Sequence, residues 1–189
     1  MRQKDHFTKK ALKEGYRARS SYKLKQINSK YNLIRPGDSV LDLGCWPGGW
    51  LIVAKELAKK GRVVGVDLEK INPIDGVEFI QGDITSVAIQ KKISDKFDVV
   101  LSDMAPKTSG IKSLDVERSI ELSDTALGIA KRVLKRDGSF LCKVFQGGDF
   151  EGFLKRVRKN FGFCKCVKPE ASRKESKEIY IIATHFKGL

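Results

Sequence analysis

The segment at residues 40–50 constrains the fold more than any other part of the chain. It is an apolar run that ends in Asp and Gly, and a loop rich in Gly and Pro follows before a helical pattern to about residue 60. This order predicts the first strand, loop and helix of an α/β sheet. Gly44 would allow a sharp turn, and Gly48 would allow a ligand to approach the backbone closely. The glycines alone are equally compatible with an ordinary strand-to-helix turn.

Acidic residues at the ends of later strands favour a nucleoside ligand at this loop. The loop lacks the Gly-x-Gly-x-x-Gly pattern of dinucleotide sites, so an adenosyl group without a pyrophosphate is the better candidate. Asp67 ends the second apolar run, where an acid in α/β nucleotide sites binds the ribose hydroxyls, although it could instead cap the next turn. Asp83 follows the third strand and could accept a hydrogen bond from an adenine amino group. Asp103 follows the fourth.

Strand and helix patterns alternate over the rest of the chain. Strands are predicted at about 39–43, 62–68, 77–80, 97–102, 139–145, 163–168 and 179–186. The longest helix is predicted at 115–135 and would be closed by Asp137-Gly138. The order indicates an α/β fold with one mostly parallel sheet, an antiparallel strand near its edge, and helices on both faces. We expect a single domain over residues 1–189.

The first 36 residues form a basic segment with a helical pattern. Ser20 or Ser21 could cap its second helix. An apolar stripe at helical spacing would pack this segment on the sheet: Leu24, Ile27, Tyr31 and Ile34.

The net charge of +14 is concentrated at the two ends of the chain. Residues 1–35 hold 11 basic and 2 acidic residues, and residues 155–189 hold 10 and 3, whereas the centre is nearly balanced. If both ends lie on one side of the fold, they form a continuous surface for a polyanion such as nucleic acid. A solvated basic surface without a partner is the alternative.

Other features of the composition exclude several classes of protein. No apolar run approaches the ~20 residues of a membrane span, so we expect no membrane partner. No apolar segment follows the charged residues at the start, so we expect no secretory signal and a cytoplasmic protein. The four cysteines include no Cys-x-x-Cys pair, and the two histidines lie at opposite ends, so we expect reduced thiols and no metal site. No long apolar surface pattern demands a partner subunit, and we expect a monomer.

Five segments carry a resemblance to one family: residues 42–50, 102–106, 143–147, 176–180 and 19–24. The first resembles motif I of methyltransferases that use S-adenosylmethionine. The others resemble signatures of the FtsJ/RrmJ family of RNA 2′-O-ribose methyltransferases. The likeness extends from about residue 5 to 185. Its main departure is Cys45-Trp46, where the family usually has small residues, and this bears on the shape of the pocket.

The resemblance implies a Rossmann-like methyltransferase fold of seven strands with the last one antiparallel, S-adenosyl-L-methionine as cofactor, and RNA as partner. It implies a catalytic tetrad, which by motif match is Lys23, Asp103, Lys143 and Glu178. It implies cofactor contacts from Gly44, Pro47, Gly48, Trp50, Asp67, Asp83 and Asp103. Family members of this size methylate a uridine of large-subunit ribosomal RNA or the anticodon loop of tRNA, and we expect ribosomal RNA.

Lys143 is the expected proton acceptor, because it interrupts an apolar strand where a lysine needs a functional reason. A ribose hydroxyl is a weak acid, so a base that removes its proton as the new bond forms would speed methyl transfer. A lysine accepts a proton only when it is neutral, and burial and a nearby cation such as Lys23 favour that form. Asp103 and Glu178 oppose this effect, because carboxylates favour the charged form, so their expected role is to orient the two amines. Alternatively, Lys143 only steers the hydroxyl and the proton leaves to water.

Two other functions are compatible with the sequence. One is a non-catalytic RNA-binding module on a decayed methyltransferase fold, against which the intact tetrad argues. The other is methylation of a base or a protein side chain. Families of amino-group methyltransferases carry an Asn-Pro-Pro-Tyr-type motif after the fourth strand, and this chain does not resemble them there, which counts against amino groups. The ordinary role of each tetrad residue would be a surface ion pair, and Glu178 could simply pair with Lys174 or Lys177.

Overall fold

A seven-stranded sheet organises the chain. The computed structural model describes residues 6–173 and 175–188, so the first five residues of the basic segment, Lys174 and Leu189 lie outside the described residues. The strands are β1 (Val40–Leu43), β2 (Val63–Asp67), β3 (Val77–Gln81), β4 (Phe97–Ser102), β5 (Leu134–Phe145), β6 (Phe161–Val167) and β7 (Glu178–Phe186). The helices are α1 (His6–Lys13), α2 (Ser20–Tyr31), α3 (Gly49–Ala58), α4 (Val87–Lys92), α5 (Lys112–Val133) and α6 (Phe150–Asn160).

The strand order is β3-β2-β1-β4-β5-β7-β6. Neighbouring strands from β3 to β5 are parallel, and β7 is antiparallel to both β5 and β6. The predicted fold class, with its mostly parallel sheet and antiparallel last strand, is therefore confirmed. Because β7 runs against the other strands, its first residues lie at the same edge as the carboxyl ends of β1, β4 and β5.

Helices cover both faces of the sheet, as the sequence predicted. Alternate residues of each strand point to opposite faces: Val40 packs with α1, α2 and α3, whereas Leu41 packs with α4, α5 and α6. The predicted stripe of the basic segment is buried at Leu24, Ile27 and Ile34. Ile34 reaches the core from beyond the end of α2.

Two local predictions were wrong. Asp137-Gly138 does not close the long helix, because α5 ends at Val133 and both residues lie inside β5. Asp137 has a φ of +63° and the pairing of β4 with β5 shifts register there, so the turn signal marks an irregularity of the strand. In the described part of the chain, no side chain caps α2; the Ser21 hydroxyl instead donates to the Gly49 carbonyl at 3.1 Å.

The described residues include no helix that is both long and apolar enough to span a membrane. Of the four cysteines, Cys45 and Cys142 are buried, and Cys164 and Cys166 are partly buried.

Candidate active site

A cleft of about 510 Å³ opens at the carboxyl edge of the sheet. The loops after β1, β2, β3 and β4 line it, which is where the strand order reverses and where open α/β sheets bind ligands. Four of the predicted cofactor residues line this cleft: Gly44, Asp67, Asp83 and Asp103. Much of the remaining lining is apolar, including Leu68, Ile84 and Pro106.

Gly44 brings two loops of the cleft into contact. Its φ is +75°, and a Cβ atom at this position would lie 2.3 Å from the Cγ atom of Met104, in the loop after β4. Any side chain would therefore strain the backbone and collide with the opposite wall. Only glycine allows the floor of the cleft to have this shape.

The two acids of the cleft are fixed by backbone groups. One oxygen of Asp67 accepts from the Trp46 N–H at 2.8 Å, and the other accepts from the Glu69 N–H at 2.9 Å. The Oδ1 atom of Asp83 accepts from the backbone N–H and the hydroxyl of Thr85, and these hydrogen bonds lower the pKa of Asp83. Each carboxylate oxygen retains lone pairs that can accept from a ligand.

The other predicted cofactor residues occupy different surroundings. Pro47, Gly48 and Trp50 are not among the described residues that line the cleft. The Pro47 carbonyl accepts from Arg17 at 3.3 Å, and Gly48 lies against the same guanidinium. Trp50 is buried, donates from its indole N–H to the Ser20 carbonyl at 2.8 Å, and packs against the Tyr180 ring. Their role in cofactor binding stays a prediction.

Asp42 is a buried acid beneath the loop. It is fully buried at the end of β1, and neither carboxyl oxygen has a hydrogen-bond partner among residues 6–173 and 175–188. Burial raises its pKa well above the ordinary value, and the charges of Asp103 and Asp67 raise it further. Asp42 therefore keeps its proton to a higher pH than an exposed aspartate does.

Lys143 and Asp103 form one half of the predicted tetrad. Lys143 is 7% exposed on β5, and its Nζ atom donates to the Asp103 carbonyl at 2.6 Å. The same nitrogen lies 3.2 Å from Oδ1 of the Asp103 carboxylate. Because Asp103 also lines the cleft, this ion pair stands at its wall.

Lys23 and Glu178 form the other half. Lys23 is 7% exposed on α2 and donates to the carboxylate of Glu178 at the start of β7. Burial raises the pKa of Glu178, but the hydrogen bond and charge of Lys23 and the charge of Lys143 outweigh it, so the net pKa is lowered. Glu178 therefore pairs across the fold rather than with the neighbouring Lys177, and Lys174 lies outside the described residues.

Tyr180 joins the two halves into one network. Its hydroxyl donates to the Asp103 carboxylate at 2.8 Å and accepts from the Lys23 Nζ atom at 3.3 Å. Burial raises the pKa of this hydroxyl, and the charges of Asp103 and Glu178 add to the effect, so it remains protonated. The four residues of the tetrad, remote in sequence, thus meet beside the cleft.

Comparison with models of known protein families identifies the family of this chain. The sequence model described as FtsJ-like methyltransferase matches residues 16–186. The chain belongs to the FtsJ-like methyltransferase family.

Several similar proteins are named as methyltransferases of ribosomal RNA. The chain is 55% identical to the ribosomal RNA large subunit methyltransferase E of Methanothrix thermoacetophila over 95% of its length and 72% of that protein. It is 46% identical to the enzyme of the same name from Desulfatibacillum aliphaticivorans, over 98% of this chain and 92% of that one. A crystal structure described as a ribosomal RNA methyltransferase from Plasmodium falciparum superimposes with a TM-score of 0.82, at 29% identity, covering 92% of this chain and all of that one.

Sequence reasoning missed the hydrogen bonds by which Tyr180 connects Asp103 with Lys23 in this FtsJ-like methyltransferase. Tyr180 falls in the apolar run of β7, where it looks like an ordinary core residue. Tyr180 pairs directly with Lys143 across β5 and β7, which would have indicated a place near the tetrad. This pairing is known only from the structure.

Replacing Tyr180 by Phe is expected to lower kcat by about tenfold, because Asp103 loses a donor and Lys23 loses an acceptor while the ring stays. Cofactor affinity, measured by calorimetry, should not change. Tyr22→Phe is the matched control, since Tyr22 is also buried but its hydroxyl donates to Glu14 at 2.6 Å. A kcat for Tyr180→Phe equal to that of Tyr22→Phe would contradict this role.

Glu178→Gln is expected to reduce the free energy of unfolding at neutral pH by about 1–3 kcal/mol, because it removes a charged partner of Lys23. The folded-state pKa of Glu178 is below its ordinary 4.5, so its stabilisation is complete above that value and is lost as the pH falls through the lowered pKa. Urea unfolding should therefore show the difference shrinking in acid. The exposed neighbour Glu175 provides the control, Glu175→Gln, which should show no such pH dependence.

Proposed function

We propose that this methyltransferase transfers the methyl group of S-adenosyl-L-methionine to a ribose 2′-hydroxyl of RNA, and that the acceptor is a uridine of large-subunit ribosomal RNA. The names of its relatives support the ribosomal substrate. The 2′-hydroxyl as acceptor rests on the tetrad, and the observation that carries it is the hydrogen bonding of Lys143.

The contacts of Lys143 accommodate the neutral amine that a proton acceptor must be, whereas an ammonium would use its third donor to hold the hydroxyl. A neutral amine has two N–H donors and one lone pair. Two oxygens of Asp103, the carbonyl and Oδ1, lie at 2.6 and 3.2 Å from Nζ and can take both donors. The lone pair is then left for the proton of a substrate hydroxyl. Lys23 donates hydrogen bonds to Glu178 and Tyr180, and it provides a second amine that can orient the same ribose.

The cleft fits an adenosyl cofactor. Its size is within the range of ~300–1,000 Å³ that is common for small-molecule sites, and the close approach at Gly44 forms a floor that a side chain would fill. Asp67 would hold the ribose hydroxyls and Asp83 the adenine amino group. When bound, S-adenosyl-L-methionine supplies a methyl group on a positively charged sulfur, which is already a good electrophile. The protein contributes alignment, which can lower the barrier by several kcal/mol, and proton removal.

Contacts between the two basic ends support RNA as the partner. Arg19 donates to the Ala171 carbonyl at 2.5 Å, and the Ala171 N–H donates to the Gln26 side chain at 3.1 Å. The two basic segments therefore contact each other, as a continuous polyanion-binding surface would require. We propose that the N-terminal segment is an integral part of one catalytic domain, because it supplies Lys23, and that the enzyme is a cytoplasmic monomer.

The test is methylation with radiolabelled S-adenosyl-L-methionine. Large-subunit ribosomal RNA, free or in assembled subunits, should accept label, and DNA of equal sequence should not, because only RNA has the 2′-hydroxyl. Alkaline digestion should leave the label in an alkali-resistant dinucleotide. Label in mononucleotides would indicate a base as acceptor, and RNA binding without turnover on any RNA would indicate a non-catalytic module. Either result would overturn the proposal; label in tRNA alone would move the substrate to the anticodon loop.

A further inference from the structure

Trp46 exposes an unusually large apolar surface at the cleft. Its side chain lies in the loop after β1 and is 59% exposed. It is one of five large apolar side chains that the described residues leave exposed, and Leu68, at 61%, is another. Both line the cleft, so two of these five exposed apolar side chains belong to one candidate ligand site. Apolar area of this kind favours burial against a ligand.

The position of Trp46 is fixed by β2 and Asp67. The N–H groups of Gly44 and Cys45 both donate to the Val66 carbonyl, at 2.9 and 3.3 Å, and the Trp46 N–H donates to Asp67 at 2.8 Å. The Trp46 backbone is therefore held against the acid that ends β2, and Trp46, Asp67 and Leu68 line the same cleft. The tetrad residues Lys23, Lys143 and Glu178 form their hydrogen bonds elsewhere, with Asp103 and Tyr180.

Three features favour a nucleoside as the partner of this indole. An acid at the end of β2 suits ribose hydroxyls. An aromatic ring offers a purine a stacking surface. The remaining apolar residues of the cleft, such as Ile84 and Pro106, belong to the loops that follow β3 and β4 and add apolar lining for a base.

We infer that Trp46 is a cofactor-binding residue that covers the nucleoside half of S-adenosyl-L-methionine, which rests on the proposed function of this cleft. The indole and Leu68 form an apolar rim that closes over the adenosine and excludes water from it. The methionine half lies outside the reach of this contact.

Fluorescence tests this role without measuring activity. The chain has two tryptophans, and Trp50 is buried, so acrylamide quenching reports mainly on Trp46. Saturation of the wild type with S-adenosylhomocysteine should reduce this quenching by about twofold or more, adenosine should do the same at higher concentration, and L-methionine should not. Trp46→Phe should abolish the response while calorimetry still detects binding.

Affinity provides the second measurement. Trp46→Ala should weaken binding of S-adenosylhomocysteine by about five- to tenfold, and Trp46→Phe by less, because an aromatic contact contributes about that much. Val87→Ala is the matched control, since Val87 is 67% exposed on α4 and is not among the described residues of the cleft. Its affinity should equal that of the wild type.

The outcomes separate the inference from the proposed function. If calorimetry detects binding but quenching of Trp46 is unchanged and Trp46→Ala binds as tightly as the wild type, the inference is wrong and the cofactor site stands. A response to RNA but not to S-adenosylhomocysteine would assign Trp46 to the acceptor and would also overturn it. If the wild type binds no S-adenosylhomocysteine at all, the proposed function falls, and this role with it.

Discussion

Lys143→Met is expected to lower the rate of methyl transfer by about 10²–10⁴-fold, because it removes the proposed proton acceptor while keeping a side chain of similar length. Lys143 donates to Asp103, which also accepts from Tyr180, so Asp103 keeps one partner in the variant. Affinity for S-adenosylhomocysteine should stay within about threefold of the wild type. Single-turnover rates at saturating cofactor and RNA measure the effect.

A second variant separates proton acceptance from steering. Arg does not lose its proton in proteins, so Lys143→Arg should be as inactive as Lys143→Met if Lys143 is the base. Substantial activity of Lys143→Arg would mean that the positive charge only orients the hydroxyl. Lys135→Met is the matched control, because Lys135 lies near the other end of β5, is exposed, and pairs with Asp98 at 2.8 Å. Full activity of Lys143→Met would contradict any catalytic role.

Gly44→Ala should weaken cofactor binding by more than about tenfold and lower the free energy of unfolding by about 1–3 kcal/mol. Two causes contribute: the φ of +75° disfavours a side chain, and the new Cβ atom would lie 2.3 Å from the Cγ atom of Met104. Calorimetry with S-adenosylhomocysteine and urea unfolding measure the two effects.

Two further variants separate the effect of backbone strain from the effect of the collision with Met104. Adding Met104→Ala to Gly44→Ala removes the contact with Met104 Cγ and leaves the backbone strain, so it should recover part of the stability. Gly128→Ala is the control, since a Cβ atom there meets nothing within 4 Å and the residue lies within α5, where Ala is favoured over Gly by about 1 kcal/mol. If Gly44→Ala binds S-adenosylhomocysteine and unfolds like Gly128→Ala, neither the positive φ nor the approach to Met104 requires glycine at this position.

The sequence predicted those parts of the fold that local patterns determine. β1 ends at Leu43 as predicted, and β2 ends at Asp67, one residue before its predicted end. The acids Asp67, Asp83 and Asp103 line the cleft because parallel strands end together at this edge of the sheet. Lys143 was recognisable because a lysine among buried strand residues is unusual.

The features that the sequence patterns did not predict depend on contacts between distant segments of the chain. The position of Lys23 as a cation near Lys143 stays a prediction, and its hydrogen bonds with Glu178 and Tyr180 were not predicted in full because these residues lie far apart in the sequence. Asp137 took a left-handed conformation within β5 instead of closing α5, because the chain pairs with β4 immediately after the helix. Patterns within one segment do not determine which partner a buried polar group meets across the fold.

The antiparallel course of β7 also has a consequence for synthesis. Glu178 and Tyr180 come late in the chain but stand among residues that are made much earlier. Domains assemble from the amino terminus as translation proceeds. While β7 is still inside the ribosome, Lys23 would therefore lack its partner Glu178, and Asp103 would lack the hydrogen bond from Tyr180. Methylation by this protein would then begin only after the final strand has inserted between β5 and β6, so that premature termination yields an inactive product and not a partly active one.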